Sequence, residues 1–403
     1  MSNVIVAQSG GPTVAINASL AGVIEGTLGS NYDKIYGSIN GILGIRDDNI
    51  IDLSDIVAKD PRFLKRLKTT PAMYLGSCRF KLPSVDSNDS IYDTLFSQFN
   101  KYQIEAFFYI GGNDSMDTVD KLSEYAAKIG SKIRFVGVPK TVDNDLCITD
   151  HTPGFGSAAK YIATSTMEVI YDAQIYDNPS VTIIEVMGRD AGWLTAATSL
   201  AKTECCDGPD LIYLPEVPFD KEKFIQDVKD ILSEKTNVVV AVSEGIRDAN
   251  GDYISASTGV LDNFGHAQLS GAGKTLEFLV KEKLGVKVRS IEVNVLQRAA
   301  AHMSSLTDIN ESEAIGKKAV DIASEGVTGA MVTMERISNA PYEVKYDYAK
   351  IHDIANEAKE VPKSWINSNH NGVTSDMLMY LKPLVIGLPD VEYKDGLPVY
   401  VSR

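Results

Sequence analysis

An α/β fold with two doubly wound, Rossmann-like parallel sheets is predicted by three features of the 403-residue sequence. Short apolar, β-branched runs alternate with segments of helical period. Polar, glycine-rich clusters follow several of those runs, where open parallel sheets bind their ligands. The runs also outnumber the strands that one small open sheet usually holds. In chain order the expected strands are Val4–Ala7, Lys34–Ile39, Ala106–Ile110, Arg134–Val138, Val181–Val186, Val238–Val242, Val288–Val293 and Gly329–Met334. The expected helices are Ala15–Leu28, Ile91–Tyr102, Ser115–Ile129, Ser157–Tyr176, Trp193–Ala201, Lys221–Ser233, Lys274–Lys283 and Ser312–Glu325. Tyr342-Glu343-Val344 and the stretch 367–372 read as irregular loops, and the tail from Asp308 is assigned no chemistry.

Composition narrows the function. The net charge of −15 argues against sequence-independent binding to nucleic acid or anionic membrane, because both require a cationic surface. Cys78, Cys147, Cys205 and Cys206 match neither a zinc nor a CxxC spacing, so they are expected to be reduced thiols. No apolar run approaches the ~18 residues of a membrane span, and no basic n-region precedes Val4, so a cytoplasmic location is expected.

Four clusters could carry chemistry. Ser9-Gly10-Gly11-Pro12-Thr13 lies between a strand and a helix start, where backbone N–H groups and the helix dipole favour an anion; it could equally be a tight βα turn. Gly111-Gly112-Asn113-Asp114-Ser115 repeats that arrangement. Here Asp114 or Ser115 could cap the helix, but the second glycine pair favours a metal–phosphate site with Asp114 as the carboxylate for Mg²⁺. Pro139-Lys140-Thr141-Val142-Asp143-Asn144-Asp145 puts a cation and a candidate base on one loop. Met187-Gly188-Arg189-Asp190-Ala191-Gly192-Trp193 offers an arginine suited to bidentate phosphate binding, or a surface Arg189–Asp190 pair.

Two further glycine motifs are set aside. Gly271-Ala272-Gly273-Lys274-Thr275 resembles the end of a P-loop, but its first glycine would fall at Gln268 and no strand precedes it. Gly154-Phe155-Gly156-Ser157 follows a polar run instead of a strand and reads as a helix start. His151, His266, His302, His352 and His370 show no zinc-hydrolase spacing, and no GxSxG elbow is present.

Taken in order, SGGPTVAINA, GSCRF, GGNDS, PKTVDND, EVMGRDAGW, Ser243-Glu244-Gly245 and Leu296-Gln297-Arg298 resemble the phosphofructokinase family over about Val4 to Thr307. The resemblance implies the phosphofructokinase fold, Mg²⁺ as cofactor, and phosphoryl transfer to the 1-hydroxyl of fructose 6-phosphate. It gives the donor phosphates to Gly11, Arg79, Lys140 and Asp114, with the metal at Asp114 and, less firmly, at Asn113. Asp143 becomes the base, with Lys140, Asp114 and Arg189 also catalytic. Fructose 6-phosphate falls to Thr141, Asp143, Asp145, Met187, Gly188, Arg189, Glu244, Arg289 and Arg298. A donor domain of 1–154 plus about 297–350 and a sugar-phosphate domain of 155–296 plus about 351–403 are expected, in a homodimer or homotetramer.

ATP-dependent members of that family typically carry glycine where this sequence has Asp114 and Lys140, whereas pyrophosphate-dependent members look like this sequence. The added side chains fill space that a nucleotide would need, so pyrophosphate is the expected donor. An ATP-dependent kinase and a noncatalytic subunit of the same fold are the rival readings. Four departures bear on the match. Asn113 replaces a second acidic residue, Val295 an aromatic or histidine, and Ser180 an intersubunit arginine. Ala21 and Glu25 stand where regulated ATP enzymes carry effector-binding arginines, so nucleotide regulation is not expected.

Overall fold

The structure is a computed structural model that describes residues 2–87, 90–255, 271–354 and 358–403. Gln268 and His266 lie outside the described residues. In chain order the elements begin β1 (Asn3–Gln8), α1 (Ile16–Leu28), β2 (Lys34–Ser38), α2 (Ile42–Arg46), β3 (Ile50–Asp52), α3 (Leu53–Lys59), α4 (Phe63–Thr69) and α5 (Ile91–Lys101). Next come β4 (Ile104–Gly111), α6 (Asn113–Ile129), β5 (Arg134–Pro139), α7 (Phe155–Ala173), β6 (Ser180–Val186), α8 (Trp193–Ala197), β7 (Leu211–Tyr213), α9 (Lys221–Glu234) and β8 (Asn237–Ser243). The chain ends with α10 (Ala272–Leu284), β9 (Lys287–Glu292), α11 (Leu296–Ala299), α12 (Leu306–Ser324), β10 (Ala330–Asn339), β11 (Tyr342–Lys350), α13 (Ser375–Leu381), β12 (Tyr393–Lys394) and β13 (Leu397–Pro398).

Two main sheets form, in the orders β11-β10-β5-β4-β1-β2-β3 and β7-β8-β6-β9. The second is parallel throughout. The first is parallel at its centre, with antiparallel pairs at its two edges. Both are covered on both faces, which is why their central strands are apolar at successive positions. Val4 and Val6 face α1 and α12, while Ile5 and Ala7 face a core of Phe107, Phe135 and Met116. In the second sheet Ile184 and Val186 meet Phe155 and Trp193, while Val181 and Ile183 meet Phe224 and Leu276.

Each expected strand is present, and the helices differ mainly at their ends. Tyr342-Glu343-Val344 is not irregular: it opens β11, which pairs antiparallel with a β10 that runs on past Met334 to Asn339. Tyr342, Val344, Tyr346 and Tyr348 alternate with charged or small residues, the period of a half-buried edge strand. α12 begins at Leu306, six residues before the expected Ser312, because the Ser305 side chain accepts the Asp308 N–H and caps it. The motif at Gly154 does start a helix, α7, and its first N–H groups are received by the distant Asp308 carboxylate.

The C-terminal segment visits both cores. Met377, Tyr380, Leu381 and Leu384 pack beside Trp193 under the second sheet. Residues 390–401 then return to α4, where Arg66 pairs with Glu392 at 2.8 Å and the Val401 N–H donates to Thr70 Oγ1 at 3.0 Å.

Candidate active site

The four clusters lie beyond the carboxyl ends of β1, β4, β5 and β6. Gly10 has φ of +80°, and a Cβ there would stand 3.2 Å from Lys140 Nζ; a Cβ on Gly11 would stand 3.0 Å from Arg298 Nη1. The positive φ favours glycine at Gly10, and the bare turn lets two cations approach its backbone. Lys140 Nζ donates to the Gly11 carbonyl at 2.6 Å, and the Lys140 N–H donates to the Gly111 carbonyl at 3.0 Å. Three adjacent strands, β1, β4 and β5, are thus tied at their ends. The loop carrying Arg79 joins them, because Ser77 Oγ donates to the Gly10 carbonyl at 2.8 Å. Thr13 Oγ1 accepts the Ile16 N–H at 3.0 Å and so starts α1 directly behind the turn.

Lys140 is buried, at 3% exposure. Burial pushes its ammonium down to about 8, although Asp143 and Asp145 oppose that shift. Burial likewise pushes the Asp143 carboxyl up to about 6, helped by Asp145 and countered by Lys140, Arg189 and Arg298. Asp145 is raised for the same first reason. The Asp143 N–H donates to Thr141 Oγ1 at 3.1 Å, which turns the loop, and both half-buried carboxyls feel the charge of Lys140.

The β6 and β8 ends complete it. The Gly188 N–H donates to Glu244 Oε1 at 3.3 Å, and the Met187 N–H to Gln297 Oε1 at 3.2 Å. Burial, then Asp143, raises Glu244 to about 7. A Cβ on Gly245 would lie 1.6 Å from the Arg189 carbonyl, so only glycine lets the two loops cross. Asp190 pairs with Arg247 at 2.8 Å, which removes the simple surface Arg189–Asp190 pair. Arg298 feels burial first, then Asp143, Arg79 and Glu244, so it bridges the two halves electrostatically.

Gly11, Arg79, Lys140, Thr141, Asp143, Asp145, Gly188, Arg189, Glu244 and Arg298 are thus brought together, with Met187 on the same loop as Arg189. Arg289 lies apart from them within this chain, at mid-strand on β9, where it pairs with Asp172 at 3.2 Å. Val295 is exposed. Two contributors carry no local sequence signal: Lys359 and Tyr380, which hold Asn144 of the PKTVDND motif, lock the 141–150 loop from behind.

Asn113 and Asp114 form the first turn of α6, whose N-cap Gly112 brings no side-chain cap. Neither Asp114 nor Ser115 caps the helix: Ser115 is buried against Gly111 and Asp114 is exposed. Among the described residues Asp114 has no ion-pair partner, and the buried Asn113 Oδ1 has no hydrogen-bond partner. The exposed Asp114 carboxylate is a hard-oxygen donor of the kind Mg²⁺ takes when phosphates supply further ligands, whereas the Asn113 Oδ1 is enclosed. No group of three or more His, Cys, Asp or Glu that could hold a metal occurs among the described residues. No helix among them is long and apolar enough to cross a membrane.

The family model of phosphofructokinase matches residues 3–323, and the chain belongs to the phosphofructokinase family. Within it, the chain is 41% identical over 403 residues to a pyrophosphate–fructose 6-phosphate 1-phosphotransferase from Xanthomonas campestris, covering 99% of this chain and 96% of that one. A protein of the same description from Rhodospirillum rubrum is 42% identical over 396 residues, covering 96% and 95%. The crystal structure of a pyrophosphate-dependent phosphofructokinase from Nitrosospira multiformis superposes with a TM-score of 0.89 at 39% identity, covering 99% of this chain and 95% of that one.

Proposed function

We propose that this chain transfers a phosphoryl group reversibly from pyrophosphate to the 1-hydroxyl of fructose 6-phosphate, giving fructose 1,6-bisphosphate and phosphate. The observation that carries the reading is Lys140: its buried ammonium sits on the Gly11 carbonyl, beside Arg298 and Asp143, in the space behind a glycine turn. Relatives about 40% identical over nearly the whole chain, whose names carry the same chemistry, support it.

Phosphoryl transfer asks the protein mainly to position groups and neutralise charge. Gly11 and Arg79 bind the donor, and Lys140 neutralises the phosphoryl group as it passes. Asp114, with Asn113 beside it, would hold Mg²⁺; the ion neutralises donor phosphate oxygens when bound. Asp143 accepts the proton as the acceptor oxygen forms its bond to phosphorus and phosphate departs. A carboxyl raised to about 6 is poised for that task, being largely ionised yet basic. Thr141, Asp145, Met187, Gly188, Arg189, Glu244 and Arg298 hold the sugar phosphate. Arg289 on the exposed β9 edge acts across a subunit contact of a homodimer or homotetramer. The donor unit comprises 1–154 plus about 297–350 and the sugar-phosphate unit 155–296 plus about 351–403, in a cytoplasmic enzyme.

Turnover of fructose 6-phosphate is to be assayed with each donor. Pyrophosphate supports it, and ATP does not; robust turnover with ATP alone overturns the reading. Asp143→Ser lowers kcat by about 10²–10⁴-fold, the usual contribution of a positioned base. Retention of kcat within twofold removes Asp143 from that role.

A further inference from the structure

The loop that carries Asp143 and Asp145 is held from behind by the C-terminal segment. Asn144 stands between the two aspartates, is fully buried, and adopts the left-handed conformation with φ of 56°. Asparagine visits that conformation more readily than other non-glycine residues, and packed surroundings can fix it there. Here they do. Asn144 Nδ2 donates to Tyr380 OH at 2.8 Å, and Asn144 Oδ1 accepts the Thr152 N–H at 3.1 Å and Lys359 Nζ at 3.4 Å. Tyr380 OH in turn donates to the Asp150 carbonyl at 2.7 Å.

Lys359 does more than touch Asn144. Its Nζ donates to the carbonyls of Thr149 at 3.1 Å and Asp150 at 2.7 Å, and its N–H donates to the Asp145 carbonyl at 2.8 Å. Its own carbonyl accepts Trp193 Nε1–H at 2.9 Å, and its ammonium lies 5.3 Å from the centroid of that indole. Trp193 ends the loop that bears Arg189. A single residue therefore joins the loop after β5 to the loop after β6.

We propose that Lys359 and Tyr380 are positioning residues for phosphoryl transfer, clamping loop 141–150 so that the Asp143 and Asp145 carboxyls face the substrates in register with Arg189. This rests on the reading of Asp143 as the base. With the main chain tied at 145, 149 and 150 and the Asn144 amide tied on three sides, the two aspartates flanking it are forced toward the open side. Loss of either tether leaves the donor-binding groups Gly11 and Arg79 in place but lets the carboxyls drift. A misplacement of about 1 Å costs on the order of 10²-fold in rate.

The test uses the purified full-length chain and its steady-state kinetics with pyrophosphate and fructose 6-phosphate. Lys359→Met keeps the apolar stem and the main-chain bond to Asp145 and removes the ammonium donors; it lowers kcat by about 10- to 100-fold while the KM for pyrophosphate stays within about threefold. Tyr380→Phe keeps the ring against Trp193 and Trp365 and removes one hydroxyl; it lowers kcat by about 3- to 10-fold with the same KM pattern. In an Asp143→Ser background each substitution lowers the residual rate by a clearly smaller factor than in the wild-type chain, since the base is gone and only Asp145 is left to place. A merely structural role would depress both backgrounds alike. If Lys359→Met does not fold, Tyr380→Phe decides alone. Wild-type kcat in the folded variants, or equal losses with and without Asp143, overturns the clamp. Wild-type kcat in Asp143→Ser overturns the base assignment instead, so the two failures are separable.

Discussion

A buried ammonium and a half-buried carboxyl face one space, and their titrations set the pH range of the reaction. For formation of fructose 1,6-bisphosphate Asp143 must be ionised and Lys140 protonated. Asp143 is held up to about 6 and Lys140 down to about 8, each first by burial. The rate is therefore expected to rise as pH passes about 6 and to fall as it passes about 8. A profile of kcat/KM against pH in the absence of substrate-linked titration checks this. Lys140→Arg, whose guanidinium stays charged, lowers the rate but carries the basic limb to higher pH. A wild-type rate that is level from pH 7 to 9.5 removes Lys140 from the charge-neutralising role. The balance is one of local geometry: the net charge of −15 is spread over the chain and screened by salt within roughly 10 Å, whereas Lys140, Arg189 and Arg298 act on Asp143 inside the site.

Helices α1 and α12 meet backbone to backbone. A Cβ on Gly22 would lie 2.0 Å from the Glu313 carbonyl oxygen, and one on Gly316 would lie 2.2 Å from that of Ser19. Gly316→Ala must separate the helices, at a cost of about 1–3 kcal/mol or more, because main chain cannot step aside as a side chain can. Since α1 starts right behind the Gly10-Gly11 turn, the same change is expected to raise the KM for pyrophosphate. A lowered Tm with an unchanged KM would mean that the turn is insulated from its helix. Contacts of this kind explain what could and could not be read from sequence. β1, β4, β5, β6 and β8 announce themselves because strands buried on both faces carry largely apolar, β-branched or aromatic runs instead of an alternation. β11 escapes because its charged alternation resembles a solvated loop until β10 is beside it. The helices α2, α3 and α4 run only five to seven residues, too short for a helical period to register. The site follows the same rule. Gly11, Lys140, Asp143 and Arg189 are written as motifs at strand ends, whereas Lys359 and Tyr380 arrive by a distant return of the chain that no neighbouring residue signals. Arg289 is assigned to the site only by the family resemblance, and within one chain it faces Asp172.

At the scale of the whole molecule, the loop after β5 is joined to α12, β10 and β11 by one buried histidine. His151 Nδ1 bonds Asp150 Oδ2 at 2.8 Å and Nε2 bonds Glu311 Oε2 at 2.7 Å; two ring nitrogens facing two carboxylates can both donate only as an imidazolium. Arg336 Nη2 also pairs with Asp150 at 2.8 Å, and Tyr342 OH donates to Glu311 at 2.7 Å. Burial alone would lower the His151 pKa, but Glu311 and Asp150 together carry it up to about 9. A raised folded-state pKa stabilises the fold fully below the unfolded value of about 6.5 and loses that contribution as pH climbs through about 9. The contribution is on the order of 3 kcal/mol. Other buried groups titrate in the same range, Lys140 and Lys359 near 8 among them, so the total stability curve does not isolate it. The difference between the wild-type chain and His151→Gln does. That gap in unfolding free energy, measured by denaturant titration at several pH values, is expected to be widest below pH 6.5 and to narrow steadily toward pH 9.5. A gap that stays constant across the range would mean that His151 is neutral in the fold and that packing, not charge, ties the two carboxylates together.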